Sequence, residues 1–286
     1  MEVKHDFVFQ VDHPIVKDAY EQMQHISIQY NAKGEQDLCA IYFSSHYIYN
    51  PNEEGVFRSE IVEKNRFEWF GTRINRAGKH IFLRDIHKQW YLTGVNATLN
   101  TPELLTQYLK RETEGYRTIT LGSSAGGFAA IFYGQQLDSE IILSFNGQFE
   151  VNSQLKTSGP DIDPVIFRNQ ANPELSRYFD IAGLIRKPRT IHYFYSIHSA
   201  WDAQQAGHVK DLYINRTGFN TSHHGIPFLK NNLPRVINLD QEELNRLNGK
   251  IFHPIRFSIL QMGLLDTLAG LKSIALTVVK HKLKRH

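Results

Sequence analysis

The chain has 286 residues, a formal net charge of +3, 41% hydrophobic and 21% charged residues, and a single cysteine, Cys39. That length and balance suit one large globular domain, or one with insertions, and exclude a small stapled scaffold or a disordered chain. A lone cysteine excludes an intramolecular disulfide framework and a cysteine-based zinc site, and the modest charge gives no signal for nucleic acid.

In chain order, "FVFQV" (7–11) and "ISIQY" (26–30) read as early strands. "LCAIYFSS" (38–45) is a near-continuous apolar run, as in a strand buried on both faces, and "HIFLRD" (80–85) is another. "TPELLTQYLKRETEG" (101–115) opens on a threonine cap and spaces its apolar residues as a helix does. Strand "RTITLG", a glycine-rich turn, helix "AGGFAAIFYGQQL" and strand "EIILSF" (140–145) follow. Residues 146–189 break the rhythm with four prolines and mixed polarity, and read as a cap-like insertion over one end of the sheet. Strands resume at "TIHYFYS" (190–196) and "DLYINR" (211–216), and "IPFLKNNLPRVINL" (226–239) reads as helical. Strands alternating with helices predict an α/β fold with a mostly parallel sheet covered on both faces. The expected division is a catalytic unit over 1–250 and a C-terminal helical extension over 251–286.

The chemistry concentrates in the turn. Gly122, Ser124 and Gly126 form G-x-S-x-G between a strand and a helix. A sharp strand-to-helix turn forces the middle residue into a strained backbone conformation, and small residues two positions either side avoid clashes. The serine oxygen then projects above the sheet edge, and the Ala125 N–H at the helix N-terminus faces a developing oxyanion. Ser123 does not fit, because its two-residue neighbours are Leu121 and Ala125. The bland alternative is a structural glycine turn; phosphate binding lacks the lysine of a P-loop.

The strand–"GSSAGG"–helix unit resembles the nucleophile elbow of the α/β-hydrolase superfamily, with a similar strand order over about residues 36 to 240. The resemblance implies that an acid and then a histidine follow the serine in the chain. It places the acid in "IHSAWDAQQAG", where Asp202 is the only carboxylate, its plainer reading being a helix N-cap; Asp211 is the runner-up. It places the base in "INRTGFNTSHHGIP", where His224 precedes a glycine that lets the chain turn away, and His223 is the alternative base. It also implies a second oxyanion donor after the "LCAIYF" strand, the N–H of Ser44 or Ser45. Trp90 and Tyr91, ending the next strand region, read as substrate-pocket walls, with core packing as the commoner use of such residues. No metal is expected, since His208, His223 and His224 have no carboxylate-rich companion motif.

The residues 251–286 space Leu260, Leu264, Leu268, Leu271, Ala275 and Val278 at helical intervals and end on Lys280, Lys282, Lys284 and Arg285. That pattern suits a helix on an anionic membrane surface, or one docked on its own domain or on a second copy as a homo-oligomer. The start has no charged region followed by an apolar one, so no secretory signal is read and the cytoplasm, or the inner face of the membrane, is the expected location. "GSSAGGFAA", "WYLTG", "HSAWDAQQ" and "HHGIPFLKNNL" together resemble the bacterial O-acetyltransferases of capsular and surface polysaccharides. That resemblance implies acetyl-CoA as acyl donor and a polysaccharide acceptor. The alternatives are a cytosolic carboxylesterase or thioesterase with the same triad, and a non-catalytic binding protein on this fold.

Overall fold

The computed structural model describes residues 6–272. Eight strands form one sheet in the order β1-β3-β2-β4-β5-β6-β7-β8. These are β1 (Ile26–Tyr30), β2 (Glu35–Phe43), β3 (Ala77–Leu83), β4 (Arg117–Ser123), β5 (Ile141–Phe145), β6 (Ile191–Ser196), β7 (Asn215–Phe219) and β8 (Ile251–Phe252). Only β1 runs antiparallel to its neighbour β3; every other pairing is parallel. This is the strand order and crossover pattern of the α/β-hydrolase fold, as expected.

The two-residue period of a strand divides the core into two layers. From β2, Cys39, Ile41 and Phe43 enter the layer that holds Phe128, Ala129 and Phe132 of the helix Ala125–Gln136. Leu38, Ala40 and Tyr42 enter the opposite layer, with Leu233, Val236, Leu244 and Phe257. Both faces of the central strands are therefore covered, which is why β2 reads as an unbroken apolar run. Each Leu, Ile, Val or Phe among them contributes roughly 1.5–3 kcal/mol when removed from water.

Several elements differ from the sequence reading. Residues 7–11 form no strand; Phe9–Asp12 is a helical turn in which the Asp12 carboxylate takes the Val8 N–H at 2.7 Å. The penultimate strand lies at 215–219 instead of 211–216, and Tyr213, within the expected strand, is exposed. The 226–239 stretch is helical only over Lys230–Asn232 and Leu233–Val236, and a capped helix, Gln241–Leu247, follows it. Strand β8 pairs with β7, so the sheet runs past residue 250. The insertion folds into short turns such as Pro164–Asn169 and lays Ile162 and Asp163 against a cleft at the C-terminal edge of the sheet. Beyond β8, Pro254–Met262 is a helix and residues 264–272 continue as helix. The basic residues expected to end this extension lie outside the described residues.

Candidate active site

The turn after β4 is built around two glycines. A Cβ on Gly122 would lie 2.1 Å from the Gly126 carbonyl oxygen, and one on Gly126 would lie 2.3 Å from that of Phe43. Only glycine allows the elbow helix to approach β4 and β2 so closely. Between them Ser124 adopts φ 52° and ψ −124°, a left-handed conformation that costs a non-glycine residue about 1–3 kcal/mol. Its N–H donates to the Phe145 carbonyl at 2.9 Å, tying the strained turn to β5.

Ser124 Oγ lies 2.8 Å from His224 Nε2, and His224 Nδ1 lies 2.8 Å from Asp202 Oδ1. The three residues come from the ends of β4, β6 and β7, so a parallel sheet delivers them to one edge. Asp202 does not cap the helix Ala200–His208. Ser199 is the N-cap, and Asp202 sits fully buried in the first turn, where the helix dipole favours its charge. With both imidazole nitrogens engaged, a serine–imidazole–carboxylate chain of this kind can pass the hydroxyl proton to His224 while the carboxylate supports the imidazolium.

His224 is held from three sides. Asn146, at φ 46° beyond β5, gives its amide to the carbonyls of His223 (3.2 Å) and Gly225 (3.1 Å). Ser196 Oγ donates to the same His223 carbonyl at 2.6 Å and is itself bonded to Asn146. Trp201 stacks on the His224 ring at 5.1 Å. Sequence reasoning missed Asn146 and Ser196 because their role is to hold a backbone, and neither stands in a motif. Asn-Gly directly after a buried strand was the available signal. His223 contributes its backbone to this clamp and its side chain to the cleft wall, while Asp211 is exposed and does not line the cleft. His208 pairs with Asp180 at 3.0 Å. Among the described residues no group of His, Cys, Asp or Glu is placed to hold a metal ion.

The Ala125 N–H is the first amide of its helix and has no intrahelical acceptor, which leaves it available to an oxyanion. The expected second donor is engaged elsewhere. The Ser44 N–H continues the β2–β3 ladder to the Leu83 carbonyl at 3.1 Å. The Ser45 N–H and Oγ both donate to the Glu68 carboxylate. Burial raises the Glu68 carboxyl above its usual range. Trp90 and Tyr91 are also displaced from the role expected of them. Both are buried in the core layer, the indole N–H on Gln148 at 2.8 Å and the phenol on the Ser44 carbonyl at 3.0 Å. Trp90 reaches the site only through an edge contact with His46 at 4.6 Å.

The cleft over Ser124 has a volume of about 790 Å³. Ile226, Phe228 and Leu229 give it apolar wall, and Glu68, Lys88, Asp163 and Lys230 give it charge. Burial pulls the His46 imidazole in its wall down to about 3, so that ring is neutral.

No family model matches the sequence, and no curated protein matches it. Among solved structures, the capsule O-acetyltransferase of Neisseria meningitidis serogroup A is similar at 13% identity and TM-score 0.49, over 69% of this chain and 83% of that one. A mutant of the same enzyme in complex with CoA is similar at 14% identity and TM-score 0.43, over 71% and 85%. An inhibited esterase B from Lactobacillus rhamnosis gives 11% identity and TM-score 0.42, over 70% and 72%. At such identities and scores no activity carries across. The α/β-hydrolase fold stands on the strand order and the elbow.

Proposed function

We propose that this chain is a serine acyltransferase that moves an acetyl group from acetyl-CoA, through Ser124, to a hydroxyl of a bacterial capsular or surface polysaccharide. The hydrogen-bonded chain Ser124–His224–Asp202 is the observation that carries this reading. Ser124 Oγ attacks the thioester carbonyl as His224 Nε2 takes its proton, and the Ala125 N–H faces the oxyanion. The CoA thiolate leaves with that proton, giving acetyl-Ser124 and free CoA. An acceptor hydroxyl then repeats the exchange in reverse, passes its proton to His224, and takes the acetyl group as Ser124 recovers its hydrogen.

The resemblance of "GSSAGGFAA", "WYLTG", "HSAWDAQQ" and "HHGIPFLKNNL" to the polysaccharide O-acetyltransferases supports acetyl-CoA and a glycan as the two substrates. Lys88 and Lys230 at the cleft are compatible with the phosphates of CoA. The same reading proposes contact with the inner face of the membrane. Leu260, Leu264, Leu265 and Leu268 are each more than half exposed and continue into the basic C-terminal sequence. No helix among the described residues is long and apolar enough to cross a membrane, so the proposed contact is peripheral.

A carboxylesterase or thioesterase would use the same acyl-enzyme with water as the acceptor. Release of CoA from acetyl-CoA, measured with and without purified polysaccharides, separates the two. Acceleration by a glycan, with acetyl ester recovered on that glycan, is the transferase result. CoA release that no glycan accelerates, with free acetate as product, would replace the transferase by a thioesterase.

A further inference from the structure

The segment "RDIHKQWY" (84–91) is over-determined for a simple turn. Lys88, Trp90 and Tyr91 have φ of 59°, 54° and 60°, three non-glycine residues of four in the left-handed region. One buried carboxylate holds them there. Asp85 Oδ1 accepts the N–H groups of His87 (3.0 Å) and Lys88 (3.1 Å), and Oδ2 those of Gln89 (2.7 Å) and Tyr91 (2.9 Å). Backbone strain maintained in this way is a feature of sites that must present a group in a fixed place.

The group presented is the Lys88 ammonium. It is 8% exposed and lines the same cleft as Ser124. Its hydrogen-bond partners are neutral, the Tyr49 carbonyl at 3.1 Å and Asn52 Oδ1 at 2.6 Å, and it lies 4.5 Å from the centre of the Tyr49 ring. Among the described residues it forms no ion pair, and the nearby Asp85 carboxylate is spent on four amides. Burial lowers its pKa to about 8, the mark of a charge without full compensation. Beside it in the cleft wall, His46 Nε2 is buried and has no hydrogen-bond partner. A buried cation with neutral neighbours and an unpartnered polar atom in one wall is half of an ion pair.

We propose that Lys88 and His46 form an anion-receiving subsite in the cleft, and that a substrate bound over Ser124 places a carboxylate or phosphate group there. This deepens the acyltransfer reading, since it adds charge to the description of one of the two substrates. The anion has two sources, a phosphate of the CoA donor or a carboxylate of an acidic sugar acceptor.

Binding to the full chain carrying Ser124→Ala tests the subsite without depending on turnover, so failure of the acyltransfer chemistry and failure of the subsite are read separately. Two pairs of probes are titrated by calorimetry, CoA against pantetheine and glucuronate against glucose. At least a tenfold tighter Kd for the charged member of one pair is expected. Adding Lys88→Met brings that pair to within about twofold, while adding Lys88→Arg keeps the gap. A gap for CoA assigns the subsite to the donor, and one for glucuronate to the acceptor. Equal binding within both pairs, or a gap that survives Lys88→Met, overturns the proposal. Lys88→Gln, which keeps a donor for Asn52, serves in the same way if the methionine variant does not fold.

Discussion

At the scale of single residues, Ser124, His224 and Asp202 act as one unit, so their removal should not be additive. Ser124→Ala is expected to lower kcat by at least about a thousandfold while circular dichroism and Tm stay close to those of the parent. Asp202→Asn retains the shape of the carboxylate but disturbs the imidazole tautomer, and should cost roughly 10³–10⁴-fold in kcat. A double variant scarcely worse than Ser124→Ala alone is the signature of a shared mechanism; multiplied losses would mean separate roles. Lys88 gives a pH-dependent prediction of stability. Its pKa falls from 10.5 to about 8 in the fold. Between those values the unfolded chain still holds the proton that the folded chain has released, so stability linked to Lys88 rises with pH over that window. Denaturant unfolding of the parent and Lys88→Met at pH 7 and pH 10 measures it. The stability of the parent relative to the variant should grow by about 2–3 kcal/mol across that interval. A difference that stays flat would mean that the ammonium is not buried.

At the scale of elements, the elbow depends on glycine at both flanks. Gly126→Ala would push a methyl into the Phe43 carbonyl oxygen, 2.3 Å from an ideal Cβ. A loss of at least about 3 kcal/mol in chemical denaturation, or failure to fold, is expected. Asn146→Ala releases the backbone of the histidine loop at two carbonyls. It should lower kcat more than it changes KM, and chemical rescue is not expected because no reacting group is lost. The elbow was legible in the sequence because it needs unusual residues at fixed spacing, Gly122 and Gly126 around Ser124. Strand β2 was legible because both faces of its 38–43 run are apolar, and β4 and β5 because short β-branched and aliphatic runs flank the elbow turn and its helix. Strand β7 was not, since "NRTGF" has a glycine and little β-branched character, and is placed by its pairing with β6 and β8. The helix Ala200–His208 shows little apolar periodicity, so an N-cap stood as the plainer alternative for Asp202, the expected acid, when Ser199 performs that task. Ser44 and Ser45 stood in the expected loop, but their amides were claimed by Leu83 and Glu68, a competition that only tertiary contacts decide.

For the whole molecule, one sheet edge collects the serine, acid and histidine from strands that are far apart in the chain, and the insertion and the 226–230 segment wall the cleft above them. The helix Pro254–Met262 packs through Phe257 and Ser258, the latter bonded to Asn232 at 2.7 Å, beside that same wall. Leu260 on this helix, Leu264, Leu265 and Leu268 just beyond it, and the basic sequence after them are proposed to meet anionic lipid. Replacing Leu260, Leu264 and Leu265 by serine should abolish co-sedimentation with phosphatidylglycerol-containing vesicles and leave turnover of a soluble ester unchanged. Vesicle binding that survives this change would remove the membrane from the proposal. The central claim is that Ser124 carries the acyl group, and the most direct measurement is the intact mass of the protein after brief exposure to acetyl-CoA, taken beside Ser124→Ala and followed by peptide mapping. A single acetyl adduct on the peptide containing Ser124, absent from the alanine variant, is the expected result. An acetyl group on any other side chain, or CoA release by Ser124→Ala at the rate of the parent, would contradict it.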